Sequence, residues 1–166
     1  MTEIRDATEG DVAAILGIHN AAIATSTAIW DTEPVDHDER LHWYRDRVAA
    51  GYPVLVAEAA GRIAGYASYA QWRSKSGYRH TMEHSVYLAD GFHGRGIATL
   101  LMTELVARAT KNDVHAMVAV IGSDNPASIA LHDKLGFRVV GRMPEVGRKF
   151  DRWLDLTLMQ LTLTAE

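Results

Sequence analysis

The stretch VYLADGFHGRGIATLLM, Val86 to Met102, sets Gly91, Gly94 and Gly96 between an apolar, strand-like run and a helix-like one. Glycines clustered there cost conformational entropy unless the backbone must turn tightly or let something come close. A helix that starts directly after a strand presents unpaired N–H groups and the positive end of its dipole, and glycines open that backbone to an anion. Two readings follow: a bare strand-to-helix turn, or a phosphate cradle. The surrounding pattern has to separate them.

That pattern is one of mixed elements. Thr8 with Asp11 resembles a capping box, and Val12, Ile15, Leu16, His19, Ala22 and Ile23 follow at helical spacing. Asp36 with Glu39 repeats the signature before Leu41, Tyr44 and Val48, and Gly51 then Pro53 end a second helix. PVLVAEA and RIAGYASYA, joined around Gly61, read as an antiparallel hairpin, and TMEHSVYLA reads as a more central strand that runs into the glycines. Ala98, Leu101, Met102, Leu105 and Ala109 then trace one helix face, and VHAMVAVI is a buried strand. Asn125 as N-cap and Pro126 at N1 open a further helix that carries Ile129, His132 and Leu135 and ends at Gly136. The tail WLDLTLMQLTL alternates like a strand. With no internal repeat and no Pro/Ser-rich linker, residues 1–166 are expected to form a single mixed α/β domain. Its expected order is a strand, two helices, then strands, helix, strand, helix, strand.

Bulk properties exclude several function classes. A chain of 166 residues buries roughly two-thirds of the surface its unfolded form exposes, enough for a real core. There is no cysteine, which removes disulfides, thiolate metal sites and a Cys nucleophile. The formal charge of -4 disfavours a general nucleic-acid binder, so any anionic ligand must be held locally. No run is long and apolar enough to span a bilayer, and the charged start MTEIRDATEGD lacks a signal-peptide core, so a cytoplasmic, membrane-free protein is expected. His80 and His84 are the nearest histidine pair on one strand; four extended residues span about 13 Å, too far for one ion, and no catalytic metal is expected.

The glycine loop is not a P-loop, because no Gly-Lys-Ser/Thr follows, and not a dinucleotide fingerprint, because its strand is not the first and the spacing differs. HGRGIA, His93 to Ala98, instead resembles the pyrophosphate loop of the GNAT acetyltransferase superfamily, which reads Arg/Gln-x-x-Gly-x-Gly/Ala after a central strand. The first position of that pattern departs from Arg or Gln here, while the backbone cradle is kept. Asn125 opening a helix that ends in HDKLGF is a second motif in register with the first. Over nearly the whole chain, TSTAIWDTEP, QWRSKSGYRHTMEHSVY and VAVIGSDNPASIALHDKLGF are similar to the phosphinothricin and methionine sulfoximine N-acetyltransferases. The resemblance implies a GNAT acyl-CoA N-acyltransferase fold, a central, mostly antiparallel sheet flanked by helices. It also implies acetyl-CoA as donor, a small amino acid analogue as acceptor, and a homodimer. Acetyl-CoA is expected along Val86, Tyr87 and Leu88 of the strand, at Gly94, Arg95, Gly96, Ile97, Ala98 and Thr99 of the loop, and at Asn125 and Ser128.

Acetyl transfer from a thioester to an amine needs a neutral amine, a polarised carbonyl and a proton for the departing thiolate. Glu83, on the strand before the loop, is the candidate base; the plainer reading is a surface carboxylate. By resemblance to the superfamily, which places a Tyr for the leaving thiolate seven residues after the capping Asn, His132 is the candidate acid, and imidazole titrates below a thiol; a packed core histidine is the alternative. Arg73, Lys75 and Arg79 cluster in a loop just upstream, either as a solvated loop or as a grip on an acceptor carboxylate. By resemblance Arg73, Ser74, Lys75 and the segment Glu83, His84, Ser85 face the acceptor, with Trp30, Glu33 and Trp72 as pocket walls. A protein Lys or N-terminal acetyltransferase and a non-catalytic acyl-CoA-binding module are the competing functions.

Overall fold

The structure is a computed structural model that describes residues 1–163. Among these residues the strands are β1 (Thr2–Asp6), β2 (Val54–Ala59), β3 (Arg62–Gln71), β4 (Thr81–Leu88), β5 (Ala116–Gly122), β6 (Arg138–Lys149) and β7 (Arg152–Thr162). The helices are α1 (Val12–Thr25), α2 (His37–Ala49), α3 (Ile97–Lys111) and α4 (Pro126–Lys134). One sheet runs in the order β1-β2-β3-β4-β5-β7-β6. Every neighbouring pair is antiparallel except β4 with β5. This is the mixed, mostly antiparallel α/β fold expected from the sequence.

Local chemistry sets the element ends. The Asp11 carboxylate accepts from the Thr8 N–H at 2.8 Å, closing a short 3₁₀ turn that leads into α1. Asp36 accepts from the Glu39 N–H at 2.9 Å to start α2, and Gly51 at φ 78° takes the left-handed turn beyond its end. Asn125 accepts from the Ser128 N–H at 3.1 Å, with Pro126 at the first helical position of α4.

One strand departs from expectation. The sequence reading placed a single strand after α4, whereas β6 and β7 form a long antiparallel hairpin. The alternation of β6 is broken by register shifts between Val139 and Gly141 and between Met143 and Gly147, which hides the period of two.

Strand alternation sorts β4 between two cores. Met82, with Val86 and Leu88, joins the core built on Leu101, Met102 and Leu105 of α3, all fully buried. Tyr87 faces the other way, toward Tyr66 and the α1–α2 layer with Ile15 and Tyr44. Truncating Leu105 to alanine would cost about 2–5 kcal/mol by the usual large-to-small rule.

The break that matters lies between β4 and β5. Their parallel ladder pairs Thr81 with Ala116, Met82 with Met117 and Glu83 with Val118, and then stops. Both strands continue, to Leu88 and Gly122. Beyond Glu83 they diverge, leaving an open backbone edge on each and a gap between them.

Candidate active site

The gap is a cleft of about 110 Å³ lined by residues 83–87 of β4, residues 119–122 of β5, Ala28, and Asn125, Ser128 and His132 of α4. The sequence motifs therefore converge: the candidate base, the candidate acid and the α4 cap all reach one opening.

Beyond Leu88, β4 runs into the glycine loop, which turns into α3. Gly91, Gly94 and Gly96 hold φ of 83°, 73° and 76°. A Cβ at any of them would meet no protein atom within 4 Å. The protein's own packing therefore does not require glycine here; the left-handed backbone does, and the space outside stays open to an approaching group. Gly96 is the N-cap of α3, so the first-turn N–H groups of Ile97, Ala98 and Thr99 lack i−4 acceptors and point out of the helix start. The Ile97 side chain is buried, and the Arg95 guanidinium lies over the Phe92 ring at 5.3 Å. Of the three β4 residues expected to meet the donor, Val86 and Leu88 are partly buried against the α3 core, and the Tyr87 ring packs on Tyr66 at 5.5 Å. What β4 offers the cleft at these positions is its main chain.

Glu83, Ser85 and Tyr87 share a face with Ala70, Ser68 and Tyr66, their cross-strand partners on β3. This face lies beneath α1 and α2. Glu83 is half-buried, and burial raises its carboxyl above the ordinary value, against the pull of Arg47 and Arg73. A carboxylate with that balance is a better base than an exposed one, because its conjugate acid titrates closer to neutrality.

His84 does not join Glu83 and Ser85 on that face. Alternation turns its ring to the opposite side, where it is 7% exposed and packs against Phe137 at 5.3 Å. Its Nε2 lies 2.8 Å from His132 Nε2. His132 Nδ1 is 2.7 Å from the Ser128 carbonyl, which can only accept, so Nδ1 carries the proton. The neutral His132 Nε2 then accepts from the His84 Nε2–H, and His84 Nδ1 is left buried without a partner. Burial holds both rings below their ordinary values, His84 down to about 3 with the help of its neighbour. The surroundings of His132 thus favour the neutral ring, with its proton on Nδ1, because burial disfavours the cation.

The β3–β4 loop carries the cluster expected to face the acceptor. Arg73, Ser74 and Lys75 are exposed, and the Gln71 Nε2 donates to the Arg73 carbonyl at 2.6 Å and the Lys75 carbonyl at 3.2 Å, which ties the loop down. Arg73 stacks over Trp72 at 4.9 Å. Of the proposed walls, Trp30 donates its indole N–H to the Thr27 carbonyl at 3.0 Å and lies on Gly147 of β6. Glu33 is exposed. Among the described residues no group of three or more His, Cys, Asp or Glu could hold a metal ion, and no helix is long and apolar enough to cross a membrane.

Residues 15–137 match the model of the acetyltransferase (GNAT) family. This chain belongs to the GNAT family. It is 52% identical over 161 residues to an L-methionine sulfoximine/L-methionine sulfone acetyltransferase of Pseudomonas aeruginosa, covering 96% of this chain and 94% of that one. It is 37% identical over 163 residues to a phosphinothricin N-acetyltransferase of Alcaligenes faecalis, covering 98% of this chain and 83% of that one. Among solved structures, yncA of Salmonella typhimurium with its cofactor acetyl-CoA superposes at a TM-score of 0.97 with 49% identity, covering 100% of this chain and 96% of that one.

Two features of this GNAT chain escaped the sequence reading. Arg40, Trp43 and Arg47 line up on α2, with the guanidinium carbons of Arg40 and Arg47 at 4.5 and 5.3 Å from the Trp43 ring. Their spacing of three and four residues was a readable signal for one helix face. Lys149, only 4% exposed, donates to the Ser26 carbonyl at 2.9 Å and the Ile29 carbonyl at 2.5 Å, fastening the α1–α2 loop beside the cleft to the β6–β7 hairpin. No local pattern announces that tie.

Proposed function

We propose that this enzyme transfers the acetyl group of acetyl-CoA to the amino group of a small amino acid analogue of the methionine sulfoximine or phosphinothricin kind. The observation that carries the reading is the shared cleft: Glu83, half-buried with a raised pKa, sits where β4 and β5 part, in line with an open-backed glycine loop. Names carried by relatives at 52% and 37% identity supply the acceptor class.

The donor's residues are those the fit supports. The main-chain N–H groups of residues 94–99 would hold the diphosphate, the open edge of β4 from Val86 to Leu88 would pair with the pantetheine arm, and Asn125 and Ser128 flank its path. When bound, acetyl-CoA supplies the acyl group as an activated thioester. Glu83 accepts a proton from the acceptor ammonium, directly or through one water, leaving a neutral nucleophile. Arg73, with Ser74, Lys75 and Ser85, faces the acceptor, and the exposed guanidinium offers a forked partner for its carboxylate. His132 is the second titratable group of the cleft; with Nδ1 donating to the Ser128 carbonyl and Nε2 accepting from His84, it can pass a proton to the departing sulfur only where the His84 bond opens, and the proton so passed is the one the attacking nitrogen loses on becoming an amide.

We further propose a homodimer. Support comes from the exposed apolar side chains of the β6–β7 hairpin, Val139, Val140, Met143, Val146, Phe150 and Trp153. Light scattering on the purified protein reads the mass directly.

A thiol-release assay across a panel of free amino acids, with products identified by mass, tests the acceptor class. Acetylated methionine sulfoximine or phosphinothricin is the expected product. Turnover confined to protein lysines or N-termini would move the enzyme to protein acetylation, and acetyl-CoA binding without any turnover would reduce it to a binding module.

A further inference from the structure

We propose that Arg47 is a positioning residue for Glu83: a cation built into the packing of α2 on the sheet that keeps the carboxylate charged while Arg73 remains free for the acceptor. The inference rests on the reading of Glu83 as the base. Arg47 donates from Nη1 to the Ser68 Oγ at 3.2 Å, and that hydroxyl in turn donates to the Pro53 carbonyl at 2.8 Å. Ser68 is fully buried and pairs across the sheet with Ser85, and the next residue on the same face of β3, Ala70, pairs with Glu83. Ala70 has no side chain long enough to intervene. The guanidinium is thus anchored over the register position next to Glu83, on the same face, and Trp43 covers its other side.

Arg47 has no ion-pair partner among the described residues. A largely buried guanidinium without a carboxylate in contact is costly, and it persists where its field is used. Burial and the neighbouring Arg40 both lower the pKa of Arg47, and Glu83 opposes them. The two arginines near Glu83 differ in mobility. Arg73 is exposed on a loop and can turn to a ligand carboxylate, whereas Arg47 is held by helix packing and cannot follow. Once an acceptor carboxylate engages Arg73, Arg47 is the cation still acting on Glu83.

The other groups around Glu83 do not substitute for it. On its own strand Tyr87 is a neutral phenol whose pKa the glutamate helps to raise, to about 12. His84 points to the opposite face. β5 presents Val118 and β3 presents Ala70, neither titratable. From α1, His19 is held neutral by burial and sits against Tyr66 and Arg40.

The test is a carboxyl titration of protein carrying ¹³C-labelled glutamate, with the Glu83 resonance assigned by its loss in Glu83→Gln. We expect Arg47→Gln to raise the Glu83 midpoint by about one pH unit, the size of effect a neighbouring opposite charge has on a carboxyl, and Arg47→Lys to restore most of it. The acid limb of kcat/KM should move by the same amount. An unmoved midpoint in folded Arg47→Gln overturns the proposal. If Arg47→Gln does not fold, the wild-type guanidinium ¹⁵N resonances of Arg47 decide: they should shift at the Glu83 midpoint and lie flat in Glu83→Gln, and flat resonances in wild type overturn it equally. Because the titration needs no substrate, a wild-type enzyme that acetylates nothing would end the functional reading and leave this linkage standing.

Discussion

Replacing Gly96 with alanine separates the two readings of the glycine loop. At φ 76° and ψ 2° the residue is left-handed, a conformation that costs an L-residue about 1–2 kcal/mol. A Cβ there would touch no protein atom within 4 Å, so the free protein bears the backbone strain and nothing further. Stability by urea unfolding should therefore fall by about 1–2 kcal/mol. The bound state is different. The new methyl would occupy the open side of the loop, where a diphosphate must approach the N–H groups of the first turn of α3. Losing one such charge-assisted hydrogen bond is worth about 1.5–3 kcal/mol, or roughly ten- to a hundredfold in Kd. Gly51→Ala is the control, since Gly51 has φ 78° and an equally open surrounding but lies beyond the end of α2. Both variants should lose similar stability, and calorimetric titration with acetyl-CoA should weaken only for Gly96→Ala. If the two variants bind acetyl-CoA equally tightly, the loop is a turn and not an anion cradle.

Glu83→Gln should lower kcat by about 10²–10⁴ and leave the acetyl-CoA Kd nearly unchanged, since the amide cannot accept the ammonium proton; a parallel loss of both would make the residue structural. Arg73→Ala should raise the acceptor KM by about tenfold with little change in kcat, and an unchanged KM removes Arg73 from recognition. Stability should depend on pH through the buried histidine pair. His84 titrates near 3 in the fold and near 6.5 when unfolded, so the unfolded chain takes up the proton first. Its contribution is fully present above pH 6.5 and is lost at about 1.4 kcal/mol per pH unit as pH falls toward 3, or about 2 kcal/mol by pH 5. His84→Gln should flatten that part of a urea-midpoint profile between pH 7.5 and 5, and an unchanged slope would mean that other groups carry it.

What was legible in the chain follows the range of the interactions concerned. Asp36, Asn125 and Gly51 act within four residues, so capping and termination could be read from neighbours alone. The strand, glycine turn and helix from Val86 to Met102 were readable for the same reason. β6 was not: Gly141, Pro144 and Gly147 interrupt its alternation, and its identity as a strand depends on β7, a partner that only the folded hairpin supplies.

The site divides along the same line. Glu83 was found through a motif, but Arg47, 36 positions earlier, reaches the same sheet face through Ser68, and no local pattern joins the two. His84 was grouped with Glu83 and Ser85 because the resemblance was carried over to the segment as a whole. On a strand adjacency means opposite faces, and β4 sends the carboxylate toward α2 and the imidazole toward α4. That division has a chemical consequence. On the face beneath α2 the pull of Arg47 and Arg73 on Glu83 is outweighed by burial, while the face beneath α4 encloses two neutral imidazoles and resists positive charge. Glu83 and His132 thus stand on opposite sides of one strand, and the cleft where β4 leaves β5 is the place where the two sides meet.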